Sequence, residues 1–243
     1  VKITETLLGS LQGDAPLRQV LVGAFWSAVV LDTDPPGCGL ASTLRAETHY
    51  EGPPMPLAGR LLEHSGRELA EWLRSPRILE ASVGMAAFNA LLEVDEAACT
   101  EVNAEEVIVW RGAGRRVAIV GHFPFVERVC QVAEACWVLE LRPRAGDLCA
   151  GQAEEVLPQA DVVALTGTSL LNHTFDDLVA LCHPEAFVVL LGASAPLSPI
   201  LFEHGVDAIS GTRVVDVPAV LEAVGQGATF RQIPGKRLLT MMR

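Results

Sequence analysis

Hydrophobic positions keep different periods in the two halves of the chain. At the amino terminus Ile3, Leu7, Leu8 and Leu11 recur at helical spacing. The stretch RQVLVGAFWSAVVL, residues 18–31, mixes branched and aromatic residues in partial alternation, which predicts two short strands turning near Phe25. DTDPPGCG is a loop by its proline and glycine content, and LASTLR predicts a third strand. Ser65 and Glu68 have the spacing of a capping box, ahead of Leu69, Trp72 and Leu73 on one helical face. A longer helix is predicted over ILEASVGMAAFNALLE, where Ala, Ser and Gly let another backbone come close. Strands followed by helices predict a compact α+β unit.

The second half alternates. RVAIVG, CWVLEL, DVVALTG, AFVVLLG and VDAISGTRV read as five apolar strands with helical stretches between them. Pro124 suits the first turn of one helix, Thr174 an N-cap ahead of FDDLVALC, and Pro199 the start of SPILFEHG. Continuous apolar strands separated by helices predict a parallel sheet covered on both faces. The fold class expected is therefore α/β: a smaller α+β unit, residues 1–110, then a parallel-sheet unit, residues 116–243. The junction is expected in RGAGR, Arg111 to Arg115.

Composition narrows the function. Half of the 243 residues are hydrophobic, yet no apolar run reaches the ~18 residues that a membrane span needs. The amino terminus lacks the charged start, apolar block and cleavage site of a signal peptide, so a soluble cytoplasmic protein is expected. The net charge of −12, with 18 scattered basic residues, argues against a nucleic-acid partner, which needs a clustered basic face. The locally basic tail FRQIPGKRLLTMMR is expected to be a final strand or a loose end. Six cysteines, at 38, 99, 130, 136, 149 and 182, include no Cys-x-x-Cys pair. Neither a structural zinc site nor a disulfide framework is expected, and they read mostly as small buried residues of a reduced protein.

In an open α/β sheet, ligands bind beyond the carboxyl ends of the strands. Three such ends are chemically unusual: VGHFP, LTGTSLLNHT and LGASAPLSP. Gly121 and His122 occupy the place of a phosphate-cradling loop, but the G-x-G-x-x-G pattern is absent and Pro124 removes an amide donor. His122 can be a general base, a ligand contact, a metal ligand or simply a capping residue. Glu140, 19 residues after Gly121, has the spacing of an acid that holds ribose hydroxyls; a solvated edge charge is the plainer reading, and Arg142 competes for the strand tip. Thr166, Gly167, Thr168 and Asn172 offer hydroxyls, bare amides and a side-chain amide to a polar ligand. A helix cap accounts for Thr174 and Asp177 but not for these four. Ser194 and Ser198 bracket Pro196 without a nucleophile-elbow motif, and Ser198 reads as a cap. Glu47 and His49, two apart on an extended segment, share one face, where a carboxylate and an imidazole can bind a metal or pass protons, or else face water.

Together GLASTL, SVGMAAFNALL, VGHFP, LTGTSLLNHT and GASAPLSPILF resemble one family, that of putative heavy-metal chelation proteins, domain of unknown function 364, with its associated amino-terminal domain. The likeness runs from about residue 5 to about residue 235. It implies an enolase-N-terminal-like first domain, a Rossmann-like second domain with partial likeness to methyltransferases, and a site in the cleft between them. It further implies an enzyme that condenses, hydrolyses or transfers groups on a pterin-, flavin- or siderophore-like metal chelator; the alternative is a non-catalytic binder of a heavy metal or its chelate. The site positions carried over by motif are Ser42, Thr43, Glu47, Asn89, Gly121, His122, Thr166, Gly167, Thr168, Asn172 and Ser194. Of these, Glu47 and His122 would be catalytic. Glu47 with His49 would hold a divalent heavy metal, the cofactor the resemblance suggests, and a borderline ion such as zinc or nickel can use both. Expected partners are a small molecule or metal chelate, with no membrane, and a homodimer is compatible with the sequence.

Overall fold

The computed structural model describes residues 2–45 and 52–243, and within them eleven strands form two separate sheets. The first is an antiparallel meander of β1 (Leu17–Val22), β2 (Trp26–Leu31) and β3 (Cys38–Ser42). Its first turn falls where the alternation breaks, around Phe25. From Ser27 to Leu31, β2 is continuously buried rather than alternating, because both faces of the meander are covered. Val29 and Leu31 join the core beneath the helix Ile78–Leu91, while Ala28 and Leu40 pack against Val220 and Val224 of the helix Val217–Gly225. Two-sided cover of this kind turns an alternating strand pattern into an apolar run.

The helices of the first unit follow their sequence signals. Ile3, Leu7 and Leu8 are buried along the helix Ile3–Ser10. The capping box forms: Ser65 Oγ accepts the Glu68 amide at 3.2 Å, and Glu68 Oε2 accepts the Ser65 amide at 2.8 Å. The small residues of Ile78–Leu91 do admit a neighbouring backbone. A Cβ added at Gly84 would lie 2.3 Å from the Leu73 amide nitrogen.

The second sheet contains β4 (Cys99–Thr100), β5 (Arg116–Val120), β6 (Ala135–Glu140), β7 (Leu148–Cys149), β8 (Val162–Thr166), β9 (Phe187–Leu191), β10 (Ala208–Val214) and β11 (Lys236–Met242). Their order is β4-β11-β10-β9-β8-β5-β6-β7. The six strands from β10 through β7 run parallel; five of them are the apolar runs expected from the sequence, and the two-residue β7 is an addition. The edge differs: β11 returns antiparallel to β10, and β4 is antiparallel to β11, so the sheet is mixed. The return is set at Gly235, whose carbonyl accepts the amides of both Val215 and Asp216. The basic tail thus becomes the strand β11. β4 lies upstream of Arg111, and the helix Ala104–Gly112, which includes Arg111 in its last turn, packs its Val107 and Ile108 with Val117 and Ile119 of β5.

Three local expectations need correction. Cys130 and Cys136 are joined by a disulfide, against the reading of a wholly reduced set, because the chain turns directly from the helix Val126–Val132 into β6 and brings their Cα atoms to 5.1 Å. Cys149 is exposed rather than buried, whereas burial pushes the Cys38 and Cys182 thiols up to about 12. Pro124 precedes its helix instead of opening it, since Phe125 occupies the N-cap. Among the described residues no helix is long and apolar enough to cross a membrane.

Candidate functional site

From β5 the chain passes to β6 on one side and later to β8 on the other, so the sheet reverses its direction of growth between β5 and β8. Loops at such a switch point diverge and leave a crevice at the carboxyl ends of the strands. Gly121 and His122 leave β5 there, and Gly167 and Thr168 leave β8. Gly121 has a φ of +102°, and a Cβ on it would meet Thr166 Cβ at 3.0 Å, so glycine is needed for both conformation and closeness. Gly167 is squeezed from another side: a Cβ there would lie 2.5 Å from the Ala195 amide nitrogen. Each glycine lets neighbouring loops close on one another.

His122 is fixed at both its backbone and its ring. Its amide donates to Glu140 Oε1 at 2.8 Å, and Glu140 Oε2 accepts the Leu141 amide at 3.0 Å. The Glu140 carboxylate therefore ties the β5 loop to the end of β6. His122 Nδ1 lies 3.2 Å from Asp147 Oδ2. The Asp147 side chain is 6% exposed, and the Arg144 amide and the His122 ring hold its carboxyl below the usual aspartate range despite burial. An ionised carboxylate only accepts, so Nδ1 is the donor of this bond, and in the neutral ring the lone pair then lies on Nε2. Asp147 was not among the sequence-derived candidates: it sits in a polar loop, 25 residues from His122, and no spacing rule connects the two.

In the β8 loop much of the polar chemistry is turned inward. Thr166 Oγ1 and Thr168 Oγ1 are 3.0 Å apart, Ser169 Oγ donates to the Thr166 carbonyl at 2.7 Å, and Asn172 Oδ1 accepts from both the amide and the hydroxyl of Thr174. Thr174 stands at the N-cap of the helix Phe175–Leu181 but makes no side-chain cap bond, its hydroxyl being committed to Asn172. His173 has a φ of +60°, and its Nε2 lies 3.0 Å from the Ser75 carbonyl oxygen of the first unit.

Two cavities, each of about 460 Å³, open on the two sides of this loop pair. His122, Phe123, Thr166 and Thr168 line both and form the wall between them. The first cavity adds Glu140, Glu154, Asn172 and Asp177. The second reaches the first unit: Trp26 and Ser42 line it together with Gly167, Ser194, Thr212 and Phe230. Ser42 and Ser194 also form a seam, because Ser194 Oγ accepts the Ser42 amide at 2.8 Å and donates to Ser42 Oγ at 3.2 Å. Asn89 extends the seam by donating to the carbonyls of Leu40 and Ala193. Thr43 is bonded within the meander, with its hydroxyl 2.8 Å from Ser27 Oγ. Glu47 and His49 lie outside the described residues.

As a cage for a bare ion, the described part of the site does not fit. Among the described residues no three His, Cys, Asp or Glu side chains converge. The Glu140 oxygens serve two amides, and Asp147 serves His122.

A small three-stranded antiparallel sheet with helices, followed by a mostly parallel eight-stranded sheet with cavities at its strand ends, defines an α/β protein. The chain belongs to the DUF364 family, described as "Putative heavy-metal chelation", whose family model matches residues 103–243; the DUF4213 model, with the same description, matches residues 4–92. Over 151 residues the chain is 28% identical to the uncharacterized protein MJ0500 of Methanocaldococcus jannaschii, a match covering 59% of this chain and 58% of that protein's length. Among solved structures it is similar to a DUF364 protein of unknown function from Desulfitobacterium hafniense: the TM-score is 0.84 at 26% identity, covering 99% of this chain and 97% of the other. A DUF364 protein of unknown function from Pyrococcus horikoshii has the same fold, with a TM-score of 0.84 at 19% identity over 99% and 98% of the two chains.

Proposed function

We propose that this protein is an enzyme carrying out acid–base chemistry, as hydrolysis, condensation or group transfer, on a small organic metal chelator bound in the cleft. One observation carries this reading: His122, held by Asp147, stands in the wall shared by two cavities. An imidazole with a carboxylate behind Nδ1 is oriented to take a proton at Nε2, and the carboxylate stabilises the imidazolium that results. A cavity on each side gives room for two reacting groups, or for both halves of one ligand. Thr166 and Thr168 would position the ligand through their hydroxyls, and Asn172 through its side-chain amide. Gly121, Gly167 and Glu140 act on the ligand indirectly by shaping the loops.

The metal, on this reading, arrives with donors from the chelator. Glu47 and His49 would supply further ligands, since β3 ends at Ser42 on the wall of the second cavity and the chain continues from there towards them. The two units, 1–110 and 116–243 in the sequence reading, are proposed to act together because the seam residues Ser42, Asn89 and Ser194 border the cleft.

The reading is tested by incubating the purified full chain, and His122→Asn, with a small-molecule cell extract supplemented with nickel or zinc. Mass spectrometry should find a metal-binding compound that the wild type converts and His122→Asn does not. Stoichiometric retention of a compound without conversion by the wild type would favour the non-catalytic binder.

A further inference from the structure

We infer that the Cys130–Cys136 disulfide is a thiol-exchange site that governs the order of the His122 loop. Its bearing on function rests on reading the cleft as the ligand site, but the device is tested without a ligand and can fail alone. The bond joins the helix Val126–Val132 to β6. At the far end of the same strand, Glu140 Oε1 accepts the His122 amide at 2.8 Å. β6 therefore grips the segment 122–130 at both ends, by a hydrogen bond at His122 and a covalent bond at Cys130. Between the two grips lie Phe123, Pro124 and Phe125, all on the wall of the second cavity, with Phe123 stacked on Phe125 at 5.1 Å.

The helix is otherwise weakly anchored. Among its residues only Val129 is buried. Arg128 pairs with Glu105 at 2.8 Å, but the arginine side chain is 58% exposed, and an exposed ion pair holds little. The Val132 carbonyl accepts the Gly114 amide at 2.8 Å. A disulfide that spans six positions of sequence restrains the unfolded chain less than one closing a long loop. Its main consequence is local: it ties this helix, and the loop in front of it, to the sheet.

Both cysteines are half-buried rather than sealed in the core, so a small thiol can reach the bond. Exchange with a monothiol of the glutathione class takes two steps. The incoming thiolate attacks one sulfur, the S–S bond breaks to leave a mixed disulfide, and the displaced cysteine sulfur takes a proton. A second thiolate attacks the external sulfur of the mixed disulfide and releases the other cysteine, which is protonated in turn. Two electrons and two protons thus pass to the protein, giving two cysteine thiols and one external disulfide. Cys38 and Cys182, whose thiols burial pushes up to about 12, scarcely ionise and do not compete as internal attackers. With the bond open, Glu140 still holds His122 but the Cys130 end of the segment is released. The wall between the cavities then loosens while the fold is kept.

The test equilibrates the full chain, without denaturant, in reduced or in oxidised glutathione, followed by acid quench, alkylation and peptide mass spectrometry. Cys130 and Cys136 should become alkylated together in reduced glutathione and re-form their bond in oxidised glutathione. Hydrogen exchange is then compared between the two states. The amides of residues 122–132 should exchange about tenfold or more faster in the reduced protein, with β8 and β9 unchanged. A variant combining Cys130→Ser and Cys136→Ser should exchange like the reduced wild type and ignore glutathione; the wild-type comparison decides the matter even if that variant fails to fold. A bond that glutathione opens only in urea, or unaltered exchange over 122–132, would overturn the proposal. So would exchange rising throughout the sheet on reduction, which marks a staple of the whole fold. A responsive loop in a protein that converts no compound would leave this site standing and count against the enzymatic reading alone.

Discussion

Ser194 Oγ accepts the amide of Ser42 at 2.8 Å, across 152 positions of sequence, and thereby closes the first sheet onto the loop after β9. Ser194 is 1% exposed, so water has little access to replace it. Ser194→Ala leaves the Ser42 amide without its partner and should cost about 1–3 kcal/mol in urea unfolding. A loss below about 0.5 kcal/mol would show that the seam re-forms without it.

Phe88 is fully buried on the helix Ile78–Leu91, in the core shared with Leu69, Leu73 and Met85. Phe88→Ala should cost about 3–5 kcal/mol, because the crowded backbones around Gly84 restrict collapse into the cavity. Leu62→Ala, at a 57% exposed position, should change stability by less than about 0.5 kcal/mol in the same titration.

Asp161 is gripped by Arg116 through two guanidinium bonds, at 2.7 and 3.1 Å, and by the Arg116 amide at 2.9 Å. The side-chain bonds first, and then the amide, lower its carboxyl from 3.8 to about 2. A lowered folded-state value stabilises the fold above the ordinary aspartate value and loses that contribution as acid protonates the group. Denaturant titrations of wild type and Asp161→Asn should therefore differ by a constant amount near neutrality. The gap should close as the pH falls from 3.8 towards 2. The group is partly exposed and screened, so the gap will be modest. A gap that stays constant into strong acid would show that the charge is not its source.

How much of this was legible beforehand depended on whether the signal was local. The turn at Phe25, the Ser65 capping box and the β5, β8 and β9 strands each rest on a pattern within a few residues, and each formed. The antiparallel return of β11, the sheet partner of β4 and the Cys130–Cys136 bond depend on where the chain meets itself, which periodicity does not encode. The site divides likewise. His122 and the β8 threonines stood out because strand ends in α/β sheets gather ligands, whereas Asp147 lies in RPRAGDL with no periodic or motif signal. Several residues carried over by the family resemblance, Ser42, Asn89 and Ser194, bond across the seam, since buried amides and carbonyls there need partners as much as a ligand would.

Glu47 lies outside the described residues, and its proposed role can be measured directly. Titration of nickel or zinc into Glu47→Gln, with circular dichroism confirming an intact fold, should show affinity reduced at least about tenfold, or about 1.4 kcal/mol. His49→Ala should act in the same direction for these borderline ions. Unchanged affinity in both variants would remove that segment from the metal site.

The central claim is that the His122–Asp147 pair moves a proton on a bound chelator. Its most direct test compares binding and conversion of a compound consumed by the wild type, in wild type, His122→Asn and Asp147→Asn. If the account holds, His122→Asn lowers conversion about a hundredfold or more, and Asp147→Asn lowers it in the same direction. Both variants should still bind the compound within a few-fold of wild type, since Thr166, Thr168 and the second cavity are untouched. Conversion at the wild-type rate by His122→Asn would contradict the account.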